Sequence, residues 1–122
     1  MNAPPALPSL MIVDDDPLIR EGLATALGSG FEVHRAGSRT AAIELLRGLP
    51  APPQLALIDL GLPPMPHRPD EGFCLIAELL AHSPAIKIFV LTGQDDQGNA
   101  RHARTLGATG SLAAAIGGVT AL

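Results

Sequence analysis

The sequence predicts a doubly wound α/β domain built on a five-stranded parallel sheet. Short apolar runs of strand length alternate with longer segments of helical periodicity along the chain. Two of the apolar runs end directly in carboxylates, at Asp14 and Asp59, and in open α/β sheets ligands bind at such strand ends. A chain of 122 residues, 47% of them hydrophobic, can form the core of one such domain.

The strands are predicted from bounded runs of apolar or alternating residues. Residues 10–14 and 55–59 are continuous apolar runs, which are typical of strands buried on both faces. Residues 31–36 alternate between apolar and polar and are expected nearer an edge of the sheet. Residues 86–92 form the predicted fourth strand, and a short fifth strand is expected near 110–113.

The helices are predicted between the strands, where apolar residues recur every three or four positions. The first spans 17–28, the second begins after Ser38, the third runs from about 70 to 82, and the fourth opens at Asp95 or Asp96. The expected buried positions are Ile19, Leu23, Ala26 and Leu27 in the first helix, Ala42, Leu45, Leu46 and Leu49 in the second, Phe73, Ile76, Ala77 and Leu80 in the third, and Ala100, Ala103 and Leu106 in the fourth.

Composition and charge exclude several classes of protein. The net charge is −4 with no basic run, which argues against direct binding of nucleic acid. No apolar stretch approaches the roughly 20 residues of a membrane span. Residues 1–9 are interpreted as a Pro-rich lead-in without the pattern of a secretory signal, and 10–122 as the domain. The single cysteine, Cys74, allows no internal disulfide and favours a cytoplasmic location.

Polar residues stand at three of the predicted strand ends, namely Asp14 with Asp15, then Asp59, then Thr92. Neighbouring strands lie about 4.8 Å apart, so these groups can converge into a site of hard oxygen ligands suited to Mg²⁺. A carboxylate beside Mg²⁺ can attack phosphorus to give an aspartyl phosphate, and the Thr92 hydroxyl could donate to a phosphoryl oxygen. A single Asp at a strand end is also typical of turns and helix caps, and Asp16 is assigned to capping.

From about residue 9 to residue 113, the chain resembles the receiver domain of two-component response regulators. The matching segments are Met11-Ile12-Val13-Asp14-Asp15-Asp16-Pro17, Leu57-Ile58-Asp59-Leu60-Gly61-Leu62-Pro63, Gly72-Phe73, Val90-Leu91-Thr92-Gly93 and Leu106-Gly107-Ala108. The resemblance implies a flavodoxin-like (CheY-like) fold with strand order 2-1-3-4-5. It also implies a cytoplasmic module that accepts a phosphoryl group and regulates an output domain or partner, with transcription as the expected output. Beyond its own phosphorylation and dephosphorylation, such a module is not an enzyme.

The resemblance also implies roles for individual residues. Asp59 would accept a phosphoryl group from a histidine kinase or phosphotransfer protein. Asp14 and Asp15 would bind Mg²⁺ together with Asp59 and the backbone carbonyl of Gly61. The other implied positions are Thr92 as the switch hydroxyl, Gly93 as the residue that leaves room for the phosphoryl group, and Gln94 as the residue that tunes dephosphorylation.

The sequence departs from the receiver pattern at the end of the fifth strand. Receivers carry a lysine followed by proline there, and the alignment places Ala114 and Ala115 at those positions. The only lysine, Lys87, lies at the start of the fourth strand, and the aromatic that normally turns with the switch hydroxyl is replaced by Ser111. Arg68 is a conceivable substitute cation, although a solvated surface arginine is the favoured interpretation.

Two further departures concern the loop from Asp59 to Gly72 and the C-terminal segment 105–122. The loop is longer than in most receivers and resembles that of the response regulators associated with PEP-CTERM systems; it would either gate the acidic site or form an inert Pro-rich turn. Segment 105–122 has no charged residue and predicts a short or missing fifth helix. Apolar surface left uncovered there could support a homodimer.

Two other functions remain open from the sequence. Without the lysine and the aromatic, the domain could be a pseudo-receiver, an interaction module that phosphorylation does not control. The Asp-x-Asp spacing of Asp14 and Asp16 with a later threonine also fits a phosphatase of the haloacid dehalogenase type. Such phosphatases need Thr or Val where Leu18 stands, and they need a lysine that has no counterpart here.

Overall fold

Five parallel strands form one sheet in the order β2-β1-β3-β4-β5. A computed structural model of the chain describes residues 6–92 and 96–113. The strands are β1 (Ser9–Val13), β2 (Glu32–Ala36), β3 (Leu55–Asp59), β4 (Lys87–Thr92) and β5 (Gly110–Ala113), and the helices are α1 (Pro17–Leu27), α2 (Arg39–Gly48), α3 (Asp70–His82) and α4 (Gln97–Thr105). The predicted fold class and strand order are confirmed.

Strand β1, between β2 and β3, is buried on both faces because apolar clusters with helix residues lie on either side of it. Met11 and Val13 belong to the larger apolar cluster, which includes residues of α2, α3 and α4. Leu10 and Ile12 face the other way, into a smaller cluster with Ala24 of α1. Successive side chains of a strand point to opposite faces, so a strand covered on both sides must be apolar throughout.

Two helices begin at the caps predicted from the sequence. The Asp16 carboxylate accepts a hydrogen bond from the Leu18 amide at 2.9 Å, directly before Pro17 at the start of α1. The Ser38 hydroxyl accepts one from the Ala41 amide at 3.1 Å at the start of α2. Because Asp16 supplies the cap of α1, the carboxylates of the two preceding aspartates are free for other contacts.

The buried faces of three helices differ in part from the expected ones. Ala26 of α1 and Ala77 of α3 are exposed, whereas Ala24 is buried. Leu106, expected on the buried face of the fourth helix, is also exposed because it follows the last residue of α4. Between Gly72 and Ala81 the one charged residue of α3 is Glu78, so periodicity alone does not select its buried face; the close approach of Gly72 to Leu60 fixes the rotation instead. The buried residues of α3 are Gly72, Leu75, Ile76 and Leu79, with Phe73 and Leu80 partly buried.

Helix α3 is tied to its neighbours by side chains near both of its ends. The Arg39 guanidinium of α2 bridges the carboxylates of Glu71 and Glu78, with 2.8 Å between Nη1 and Glu71 Oε2. Phe73 meets the ring of His102 of α4 edge-on, with 4.6 Å between the ring centroids. These contacts fix the first turn of α3, which follows the long loop after β3.

Among the described residues, no helix is both long enough and apolar enough to cross a membrane. The fifth strand lies where it was predicted, at Gly110–Ala113. The expectations about a short or missing fifth helix, and about a homodimer formed through the C-terminal segment, fall largely on residues 114–122, which lie outside the described residues.

Candidate functional site

Three carboxylates converge at the carboxyl ends of β1 and β3. One ligand oxygen from each of Asp14, Asp15 and Asp59 lies within 4.8 Å of the other two. Asp14 and Asp15 directly follow β1, and Asp59 ends the neighbouring strand β3. Asp14 is only 3% exposed, Asp59 is partly buried, and Asp15 is the most exposed of the three. The convergence predicted from the strand ends is therefore present, and we call these three residues the acidic cluster.

Asp14 is held at three points by three different parts of the chain. Its amide donates to the Ala36 carbonyl at the end of β2, at 3.1 Å. Its carboxylate accepts from the Asp16 amide at 2.9 Å, and its carbonyl accepts from Nη1 of Arg20 in α1, also at 2.9 Å. The backbone and the side chain of the most buried acid are thus both fixed.

Asp59 is held by the turn that follows it. One oxygen of its carboxylate accepts from the Gly61 amide at 3.2 Å. The loop after β3 folds back so that the Pro66 carbonyl occupies the space where a Cβ on residue 61 would stand. Glycine at position 61 thus lets the loop pack directly against the turn that carries Asp59.

Burial and mutual repulsion make the acidic cluster costly to ionise fully. Burial, reinforced by the negative charge of Asp14, raises the pKa of Asp59 to about 7. Burial also raises the pKa of Asp14, with the charges of Asp15 and Asp16 acting in the same direction. A divalent cation would offset this repulsion, and three carboxylates within reach of one another are a donor set that suits a hard cation such as Mg²⁺.

The family model for the response regulator receiver domain matches residues 10–116. The chain belongs to this family. The match agrees with the fold and with the position of the acidic cluster at the end of β1 and β3. It leaves the hypothesis of a haloacid dehalogenase-type phosphatase without support.

Receiver sequences and structures from other organisms are similar to this chain. It is 36% identical over 95 residues to the Transcriptional regulatory protein AruR of Pseudomonas aeruginosa; the match covers 75% of this chain and 36% of AruR, so the chain spans about a third of that relative. A putative response regulator from Chloroflexus aurantiacus has a TM-score of 0.73 at 31% identity, covering 88% of this chain and 84% of that one. A CheY-like receiver domain protein from Methanospirillum hungatei has a TM-score of 0.78 at 25% identity, with coverages of 95% and 88%.

The receiver's Thr92 ends β4, next to β3, and is 8% exposed. Its hydroxyl donates to the Leu112 carbonyl of β5 over 3.4 Å, a long hydrogen bond. Ser111 is exposed on β5 and pairs with Val90. Gly93, Gln94 and Ala114, which the sequence analysis singled out, lie outside the described residues.

The only lysine of the receiver lies far from the acidic cluster. Lys87 pairs with Leu55 at the start of β3, whereas Asp59 pairs with Leu91. Four residues along a parallel strand correspond to about 13 Å. Lys87 therefore lies at the amino-terminal end of β4, whereas the acidic cluster lies at the carboxyl ends of the strands. Arg68 is exposed and pairs with Asp70 at 3.3 Å, as expected for a solvated surface arginine.

Arg20 is a residue of the site that was not predicted from the sequence. Its side chain reaches back from the second turn of α1 to the carbonyl of Asp14. Helical side chains tilt toward the N-terminus, so a long cation one turn into a helix can return to the strand end that precedes it. The spacing of six residues between Asp14 and Arg20 was the available signal.

Proposed function

We propose that this receiver accepts a phosphoryl group on Asp59, with Mg²⁺ bound by Asp14, Asp15, Asp59 and the Gly61 carbonyl, and that phosphorylation regulates an output domain or partner. The observation that carries the proposal is the convergence of three carboxylates within 4.8 Å at the ligand-binding edge of a receiver sheet. We assign Asp59 as the acceptor because it ends β3 and is the carboxylate that the family pattern marks.

The transfer forms one bond and breaks one. A carboxylate oxygen of Asp59 attacks phosphorus, the O–P bond forms, and the N–P bond of a donor phosphohistidine breaks. The imidazole leaves with the bonding electron pair and is neutral when its other ring nitrogen carries a proton. Bound Mg²⁺ supplies positive charge that offsets the negative charge on the transferring phosphoryl oxygens.

Thr92 would then act as the switch hydroxyl by donating to a phosphoryl oxygen instead of to the Leu112 carbonyl. Gly93 would leave room for the phosphoryl group and Gln94 would tune its hydrolysis. The donor would be a cytoplasmic histidine kinase or phosphotransfer protein. The output is proposed to be transcriptional, as the name of the similar protein AruR states for that protein.

A pseudo-receiver is the second candidate, and the position of Lys87 favours it. An ammonium group at the cluster would add a charge-assisted hydrogen bond to the phosphoryl group, worth roughly 1.5–3 kcal/mol. Lys87 cannot supply that bond from the opposite end of β4, and Ser111 carries no ring that could move with Thr92. An interaction module with no phosphorylation switch would need neither group.

The deciding experiment is incubation with Mg²⁺ and acetyl phosphate or phosphoramidate, followed by intact-mass analysis. We expect a gain of one phosphoryl group in the unchanged protein and none in Asp59→Asn. The matched control is Asp70→Asn, which alters an exposed aspartate on α3 and is expected to retain the gain.

The outcomes separate the two candidate functions. No adduct in a folded protein that binds Mg²⁺ would favour the pseudo-receiver. An adduct that persists in Asp59→Asn would show that another residue is the acceptor. A protein that neither binds Mg²⁺ nor gains mass would contradict the proposal as a whole.

A further inference from the structure

The side chain of Arg20 lies against the backbone of the acidic cluster. Only 22% of this side chain is exposed, and its Nη1 donates to the Asp14 carbonyl at 2.9 Å. That carbonyl belongs to the peptide unit that joins Asp14 to Asp15, and a peptide unit is planar. A hydrogen bond that fixes the carbonyl therefore also fixes the direction in which the chain enters Asp15.

The guanidinium has room at this place because residue 37 is glycine. A Cβ on Gly37 would lie 3.1 Å from Nη1 of Arg20, closer than most side-chain contacts allow. Gly37 directly follows Ala36, whose carbonyl accepts the hydrogen bond of the Asp14 amide. The end of β2 therefore supports Asp14 in two ways. Ala36 accepts the hydrogen bond of the Asp14 amide, and Gly37 leaves space for the Arg20 guanidinium that donates to the Asp14 carbonyl.

Other arginines with ion pairs in the described part of the chain are engaged elsewhere. Arg39 bridges α2 and α3, Arg68 pairs with Asp70, and Arg35 pairs with Glu21 at 3.2 Å. Glu21 also lies 3.5 Å from Nε of Arg20. Arg20 and Arg35 thus share one acidic partner, but it is Arg20 that also donates to a residue of the acidic cluster.

We propose that Arg20 is a positioning residue for the acidic cluster, holding the peptide between Asp14 and Asp15 so that both carboxylates face a common cation. The inference rests on the proposed Mg²⁺ site and adds to it a residue outside the ligand set. Arg20 is suited to the task because a guanidinium offers several donors in a fixed plane.

The first test compares the Mg²⁺ affinities of Arg20→Met and Arg35→Met by isothermal titration calorimetry. Methionine keeps an unbranched side chain and removes the donors. We expect Arg20→Met to bind Mg²⁺ about 10–100-fold more weakly, the usual consequence of losing a residue that orients a metal ligand. Arg35→Met also removes an ion pair with Glu21 but keeps the contact to Asp14, so its affinity should match that of the unchanged protein.

A second variant perturbs the position of the guanidinium without removing it. Gly37→Ala keeps the charge and every donor of Arg20 but places a methyl group against Nη1. We expect weaker Mg²⁺ binding in the same direction as in Arg20→Met and of smaller size. Arg20→Lys, which retains a donor and a charge, should recover part of the affinity lost in Arg20→Met. Unchanged affinity in both Arg20→Met and Gly37→Ala would overturn the proposal.

A readout without metal separates this inference from the proposed function. In EDTA, amide hydrogen exchange measured by NMR should be faster at Asp16 in Arg20→Met than in Arg35→Met, because the Asp16 amide donates to the carboxylate of Asp14, the residue whose backbone carbonyl Arg20 holds. If the unchanged protein binds no Mg²⁺, the proposed function fails and exchange alone decides the role of Arg20. If Arg20→Met lowers stability in EDTA but changes neither the exchange of the Asp16 amide nor the Mg²⁺ affinity, Arg20 has a purely structural role and the proposal is refuted.

Discussion

Replacing Gly72 with alanine is expected to lower the free energy of unfolding by about 3 kcal/mol, since overpacking and the loss of a buried hydrogen bond both contribute. A Cβ at this position would lie 2.8 Å from both the carbonyl oxygen and Cδ2 of Leu60. The Gly72 amide donates to that same carbonyl at 3.2 Å, so moving the helix away would break this hydrogen bond. Urea unfolding followed by far-ultraviolet circular dichroism measures the change without tryptophan or tyrosine, which the chain lacks.

The matched control is the same substitution at Gly22. This residue lies on the exposed side of α1, and a Cβ there would meet no atom within 4 Å. Alanine in a helix should therefore raise the free energy of unfolding by about 0.5–1 kcal/mol. Equal and small effects at both positions would show that α3 does not depend on its close approach to Leu60.

The second large effect concerns the dependence of stability on pH in the absence of metal. The pKa of Asp59 is raised from 3.8 to about 7 in the folded chain. Between these two values the folded state holds a proton that the unfolded state has lost, so the contribution of Asp59 to stability falls as the pH rises from about 4 to about 7. Above pH 7 the folded chain carries the full cost of ionising Asp59.

Asp59→Asn should remove this cost. In EDTA at pH 8 we expect its free energy of unfolding to exceed that of the unchanged protein by about 2 kcal/mol, less than the full shift would give because Asp59 is partly exposed and screened by solvent. The difference between the two proteins should shrink as the pH is lowered toward 4. Denaturant unfolding at a series of pH values measures it.

Asp70→Asn again serves as the control, since its carboxylate is exposed and lies on α3. It removes one carboxylate outside the acidic cluster, so it should not reproduce the gain in the free energy of unfolding expected for Asp59→Asn at pH 8. Saturating Mg²⁺ should stabilise the unchanged protein and have little effect on Asp59→Asn, because a ligand stabilises only the state that binds it. Parallel pH profiles for Asp59→Asn and the unchanged protein would contradict the raised pKa.

The strands and the acidic cluster were predictable because they follow from short-range rules. A strand buried on both faces must be apolar throughout. Continuous apolar runs in the sequence therefore identified most residues of β1 and β3. Parallel strands end at one edge, so acids that follow two neighbouring strands had to meet. That β1 and β3 are such neighbours, although β2 lies between them in the chain, came from the strand order that the resemblance to receivers implies.

Other features depend on contacts that no local pattern encodes. The buried face of α3 is set by Gly72 against Leu60, because a segment with one charged residue between Gly72 and Ala81 has no preferred face of its own. The Arg20 guanidinium that contacts Asp14 lies against Gly37, which is distant in sequence and where a Cβ would be a tight contact. The raised pKa of Asp59 requires its burial as well as its neighbours.

The hydrogen bonds described around the acidic cluster place its supporting groups in one part of the chain. The groups that hold Asp14 and Asp59 all come from residues 14–61, namely Asp16, Arg20, Ala36 and Gly61. The loop between β3 and α3, Ser111 and the uncharged C-terminal segment lie almost entirely beyond that range. The described hydrogen bonds that orient Asp14 and Asp59 therefore do not depend on any side chain beyond residue 61, although the sheet that carries these acids continues through β4 and β5.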